Sequence, residues 1–124
     1  MDIRCNKITS KALKFISKLP FLSQLSISNN GISDEGVEFL KESKELVYLD
    51  ITSNQITEKR GMVIGELLGL NNLYLSHNQI TMPCVLKYFE LSELKVLDVR
   101  FNSISNEEKE ELKQRRKDPL QLFV

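Results

Sequence analysis

Two hydrophobic rhythms alternate along the chain. In LYLSHNQI (73–80), Leu73 and Leu75 are two residues apart, the period of a strand, and the chain then turns through polar residues to Ile80. The same spelling recurs in LSQLSISNNGI (22–32), LVYLDITSNQI (46–56) and LKVLDVRFNSI (94–104), and a shortened copy opens the chain as MDIRCNKI (1–8). Alignment places Asn6, Asn30, Asn54, Asn78 and Asn102 at a constant interval of 24, with no insertion. The strand residues expected to face inward are Leu25/Ile27, Leu49/Ile51, Leu73/Leu75 and Leu97/Val99. Between the copies the apolar spacing changes to three and four. KALKFISKL (11–19) and DEGVEFLKESKE (34–45) therefore read as helices, the second of about three turns. Ser33 or Asp34 is placed to cap that helix, and Pro83 suits a first helical turn. GMVIGELLG (61–69) carries three glycines, which predicts a shorter or irregular helix. Six residues after each asparagine stand Ala12, Gly36, Arg60 and Cys84. Three of these are small, as close packing of helix on sheet requires. Arg60 breaks the column, and the adjacent Gly61 predicts a slip of one residue there.

The shared pattern L-x-x-L-x-L-x-x-N-x-I is the leucine-rich repeat signature. It predicts an α/β solenoid with a parallel sheet on the concave side and helices on the convex side. Residues 1–104 form about five repeats and residues 105–124 a C-terminal cap or tail. Each asparagine falls where the chain leaves the strand, so its carboxamide can satisfy backbone groups that the turn exposes. The five make a ladder. Alanine at Asn54 is expected to cost about 1–3 kcal/mol in unsatisfied backbone groups.

The repeats resemble the GALA-type leucine-rich repeats, with their 24-residue period and a Gly-Ala pair opening the helix. Gly36-Val37 is the closest match and Ala12-Leu13 a looser one. That repeat type is known mainly from proteins that bacteria inject into eukaryotic cells, some of them F-box adaptors of ubiquitin ligases. No F-box stands ahead of the first repeat, which departs from the ligase-adaptor members. Similar repeats also occur in proteins with no effector role, so the resemblance leaves the origin open between a secreted effector and a protein of another kind. The segment NEEKEELKQRRKDPLQLFV (106–124) supports two readings. As a cap, Leu112 takes a helix core position, and Leu120, Leu122 and Val124 alternate as a last strand. As a secretion signal, Glu107, Glu108, Glu110 and Glu111 before an apolar terminus look like the C-terminal signals of type IV effectors, which implies a host-cytosol destination.

Charge narrows the partner class. Seventeen basic side chains balance seventeen acidic ones, so there is no bulk footprint for nucleic acid or anionic lipid. The first residues carry no signal-peptide pattern, and no run of 18 apolar residues predicts a membrane span. Two cysteines are too few for a disulfide framework, which fits a reducing, cytoplasmic compartment.

Strand positions between the inward leucines point to the concave face, where solenoids commonly bind partners. The columns there are Gln24, Tyr48, Asn72, Val96; Asp2, Ser26, Asp50, Tyr74, Asp98; and Arg4, Ser28, Thr52, Ser76, Arg100. Cys5, Asn29, Ser53, His77 and Phe101 end the strands. The candidate contact set for a protein partner is Tyr48, Asp50, Asn72, Tyr74, His77, Val96, Asp98 and Arg100, because tyrosine and arginine are enriched at interface hot spots. The patch is small, roughly 480 Å² against about 800 Å² per partner in a standard interface. A partner gripping an edge as well, weak binding, or membership in a longer chain would each reconcile this. The first repeat begins in mid-strand, so the alternative expectation is a repeat fragment or a unit that self-associates through its N-terminal edge.

No enzyme is expected. The lone imidazole, His77, lies three repeats from Cys5, about 14 Å along a sheet. No metal-ligand spacing, phosphate loop or dinucleotide glycine pattern occurs, so neither metal nor cofactor is expected.

Overall fold

The structure is a computed structural model that describes all 124 residues. Five short strands, β1 (Gln24–Ser26), β2 (Tyr48–Asp50), β3 (Asn72–Tyr74), β4 (Val96–Asp98) and β5 (Gln121–Phe123), form one parallel sheet in sequence order. Residues 1–5 extend it: Asp2 bridges Ser26, and the amides of Ile3 and Cys5 donate to the carbonyls of Ser26 and Ser28. The register follows the repeat. Leu25, Leu49, Leu73 and Leu97 are successive partners, and Leu122 continues the row after a spacing of 25 instead of 24. Helices α1 (Ser10–Ile16), α2 (Asp34–Phe39), α3 (Glu58–Ile64), α4 (Met82–Tyr88) and α5 (Asn106–Arg115) line the other side.

The core lies between the two rows. The leucines at 22, 46, 70 and 94, the inward strand residues from Leu25 to Val99, and the isoleucines at 32, 56, 80 and 104 are all buried. From the helices come Leu13, Val37, Leu40, Ile64, Val85 and Tyr88, all fully buried. Each such side chain withdrawn from water contributes about 2 kcal/mol, so every repeat stabilises its neighbours more than itself.

Three expectations about the helices change. The segment 34–45 does not make one three-turn helix: α2 ends at Phe39 and a 3₁₀ turn, Leu40–Glu42, follows. Neither Ser33 nor Asp34 caps α2 through its side chain. The Asp34 carboxylate accepts instead from the amide (2.8 Å) and hydroxyl (2.5 Å) of Thr57, tying one helix start to the next. The glycine-rich α3 is neither shortened nor irregular, since it spans seven residues like α1 and α4. Packing against both neighbours overrides the poor helix propensity of Gly61.

Nor does the motif slip at Arg60. The helix N-caps Thr9, Ser33, Thr57 and Thr81 keep the interval of 24. Arg60 stays in the small-residue column and turns outward, pairing with Glu38 at 2.5 Å. Gly61 occupies the core column that holds Leu13, Val37 and Val85 in the other repeats. A methyl group there would lie 2.8 Å from Ile80 Cδ1, 3.0 Å from Cys84 Sγ and 3.2 Å from the Tyr88 hydroxyl. The vacated volume is filled by Tyr88, whose hydroxyl donates to the Gly61 carbonyl at 2.7 Å. Burial pushes the Tyr88 phenol well above its ordinary value.

At the C-terminal end, α5 is the sole helix with a side-chain N-cap, a reciprocal box between Ser105 and Glu108. Leu112 and Leu120 are buried from this segment, and β5 pairs with β4. Ser105→Ala is expected to cost about 1 kcal/mol, read as a lower urea midpoint with unchanged slope.

Candidate partner-binding face

The asparagines build the scaffold under this face. Asn78 Nδ2 donates to the carbonyls of Leu75 (3.0 Å) and Ser76 (3.4 Å) in its own repeat and of Ile51 (3.0 Å) in the preceding one, while its Oδ1 accepts from the amide of Ile56 (3.0 Å). Asn54 and Asn102 repeat this pattern, and Asn30 adds a second amide. The carboxamides do not bond to one another, although the Asn6 backbone amide donates to Asn30 Oδ1. Each clips two repeats together through backbone. Asn6, in the first repeat, makes a single side-chain bond, to Arg4.

The residue before each asparagine, Cys5, Asn29, Ser53, His77 or Phe101, has φ between 53° and 57°. None is glycine, although a left-handed backbone costs an ordinary residue about 1–2 kcal/mol. The asparagine bonds hold that turn. Of the five, Asn29 and His77 are residue types enriched in that region, and Cys5, Ser53 and Phe101 carry no compositional signal for it.

Above this scaffold the strands display the predicted columns. Tyr48, Asp50, Asn72, Tyr74 and Val96 are half-buried, and His77 and Arg100 are exposed. Tyr48 is level with Asn72 and Asp50 with Tyr74, which brings the two tyrosine rings together diagonally at 5.5 Å, tilted by 44°. Asp50 accepts from the amide of Thr52 (3.1 Å) and the hydroxyl of Ser26 (3.1 Å), and no cation pairs with it. Partial burial, then the nearby Asp50 carboxylate, raises the Tyr48 phenol above its ordinary value.

Asp98 is not a free contact. It is 6% exposed, and its carboxylate is held by the Arg100 amide (3.1 Å), Nε (3.0 Å) and Nη2 (2.7 Å). The pair presents Arg100 alone, with its guanidinium 5.4 Å from the Phe123 ring centre. Asp2 and Arg4 repeat this Asp-x-Arg clasp at the opposite end of the sheet, where the hydrogen bonds from Arg4 hold the Asp2 carboxyl below its usual range. His77 stacks on Phe101 at 4.4 Å and 15°, forming an aromatic rim at the strand ends.

One residue of this face escaped the sequence reading. Phe123 stands level with Asp98 and is 43% exposed, so it prolongs the Asp50–Tyr74–Asp98 column. The alternation of Leu120, Leu122 and Val124 carried the signal, but the spacing of 25 hid its column.

A family model described as leucine rich repeat matches residues 20–80. Among solved structures, sixteen chains match. One is the crystal structure of an internalin (inlF) from Listeria monocytogenes strain 4b F2365, with a TM-score of 0.61 and 20% identity. The match covers 90% of this chain and 36% of that chain, so the protein spans little more than a third of the internalin's length. A search of curated proteins gives no match. The fold is therefore plain: an α/β leucine-rich repeat solenoid with a five-stranded parallel sheet on one side and helices on the other. No helix is long and apolar enough to cross a membrane.

Proposed function

We propose that the protein is a non-catalytic binding module that engages a protein partner through its concave sheet. The observation that carries this is the Tyr48–Asp50–Tyr74 cluster. Two half-buried aromatic rings in contact flank the one carboxylate on the face that lacks both a cation and full burial. Such a cluster offers aromatic surface at low entropic cost together with a charge that selects its partner. Arg100 and the His77–Phe101 stack border it. Tyr48→Ala with Tyr74→Ala should abolish capture of the partner in pull-downs from eukaryotic lysate while leaving the melting curve cooperative. Retained capture would place binding elsewhere.

The partner's setting follows from the resemblance to GALA-type effectors: a host cytosol reached by secretion. Within α5, Glu108 closes the capping box, Glu110 pairs with Lys113 at 2.6 Å and Glu111 with Arg115 at 2.6 Å. Glu108, Glu110 and Glu111 thus support the helix, which favours the cap reading, and all four glutamates remain on the surface where a secretion machinery would read them. Deleting residues 119–124, with stability and translocation measured separately, distinguishes the two uses of the tail.

A second reading is self-association through the N-terminal edge. Ile3, Ile8 and Ile16 are only partly covered there, and the Asn6 side chain bonds only within its own repeat. Light scattering that shows a monomer at high concentration would dismiss this reading.

A further inference from the structure

The balanced charge of the whole chain conceals a local reversal. Residues 1–24 hold Arg4, Lys7, Lys11, Lys14 and Lys18 against the single carboxylate of Asp2, and Asp2 is already clasped by Arg4. Residues 25–50 hold two lysines against Asp34, Glu35, Glu38, Glu42, Glu45 and Asp50. The reversal is site by site. One repeat and more after Lys18, at intervals of 24, stand Glu42, Glu66 and Glu90; after Phe21 stand Glu45, Gly69 and Glu93.

Lys18, Leu19 and Phe21 line one surface cleft, whose other wall carries Glu42, Lys44 and Glu45 of the next repeat. Lys11 and Lys14 stand three residues apart on α1 and Lys18 lies in the turn just beyond it, and all three are exposed without an ion pair. Phe15 is 72% exposed beside them on α1. The turn that follows presents Leu19, 41% exposed, and Phe21, 89% exposed with φ 61°. A phenylalanine held in a left-handed turn with its ring in solvent gains nothing from the protein's own core. Lysines around exposed phenylalanine and leucine are the composition of a surface that seats on an anionic bilayer, the rings entering the headgroup boundary and the ammonium groups meeting lipid phosphate and carboxylate.

We infer that the surface formed by Lys11, Lys14 and Phe15 of α1 with Lys18 and Phe21 of the following turn is a peripheral docking site for an anionic membrane surface. It lies on the helical row, away from the concave sheet, so a docked molecule keeps its partner-binding face open. Lysines near an anionic surface each contribute roughly a fivefold gain in affinity.

The test is co-sedimentation of the full chain with vesicles of phosphatidylcholine containing about 30 mol % phosphatidylserine, against pure phosphatidylcholine, at roughly 0.1 M salt. The wild type should pellet with the anionic vesicles only and be released by raising the salt. Lys11→Glu/Lys14→Glu/Lys18→Glu should lose on the order of a hundredfold or more in affinity. Phe15→Ser/Phe21→Ser, at unchanged charge, should lose several-fold. All five side chains are exposed, so both variants should retain the wild-type melting curve. Equal pelleting with both vesicle types, or none with either, would overturn the inference. So would a phenylalanine variant that binds like wild type, which means charge adsorption alone. Light scattering in which Phe15→Ser/Phe21→Ser dissolves a dimer would reassign the face to a second copy of the chain.

Discussion

Asn78→Ala is expected to lower the unfolding free energy by about 2–3 kcal/mol, whereas Asn6→Ala should change it by only a few tenths. The asymmetry follows from what each carboxamide serves. Asn78 is 9% exposed and satisfies one amide and three carbonyls drawn from two repeats. Alanine would leave the Ile56 amide and the Ile51 and Leu75 carbonyls without that partner, in places where water does not readily replace it. The cost continues in the backbone, because His77 sits at φ 56° and the strain of that turn loses its restraint. Asn6 is exposed and makes one local bond, so water substitutes for its loss. Asn54→Ala should fall at about 1–3 kcal/mol, near Asn78 and far from Asn6. Asn78→Asp sharpens the point, since it keeps the shape but sets a carboxylate against three carbonyls and should destabilise at least as much as alanine. Urea denaturation of the four variants decides it. Equal midpoints for the Asn6 and Asn78 variants would mean that the asparagines are decorative and that leucine packing alone holds the register.

The second large effect concerns the pair Gly61 and Tyr88. Gly61→Val is expected to cost about 2–3 kcal/mol by overpacking, since the first added carbon already meets Ile80 Cδ1 at 2.8 Å. Tyr88→Leu should cost about 2–4 kcal/mol, because it opens a hole beside Gly61 and strips the Gly61 carbonyl of its 2.7 Å hydrogen bond. The double variant restores the apolar pair that stands one repeat earlier, Val37 with Ile64, and should cost at least about 1 kcal/mol less than the sum of the singles. Thermal unfolding of the full cycle measures the coupling. Strict additivity would show that the glycine and the tyrosine are independent and that the fit of one repeat into the next is looser than the contacts suggest.

Such pairs explain why some helix features could not be read from sequence. The three glycines of residues 61–69 predict a weak helix because propensity is a local quantity. In the structure Gly61 is a core position whose missing side chain is supplied by Tyr88, 27 residues later. Arg60 looked like a break in a packing column and is an outward-facing partner of Glu38. Asp98 looked like a free acidic contact, yet its neighbour two residues along consumes it. In each case the deciding partner lies off the repeat's own pattern, or its preference depends on which side chain reaches it first.

The constant interval of 24 by itself determined the repeat unit, the parallel sheet, its register and the inward leucines, because identical units that cannot bury their apolar faces alone must stack in step. It also determined which strand positions face outward, since side chains alternate along any strand. Only the tertiary structure decided what those positions do. It buried Asp98 under Arg100, brought Tyr48 against Tyr74, placed four non-asparagine residues in left-handed turns held by neighbouring carboxamides, and left Phe21 in solvent. The physical reason is that a repeat fixes where backbone runs, whereas exposure and pairing depend on the side chains of the adjacent repeats, which are free to differ.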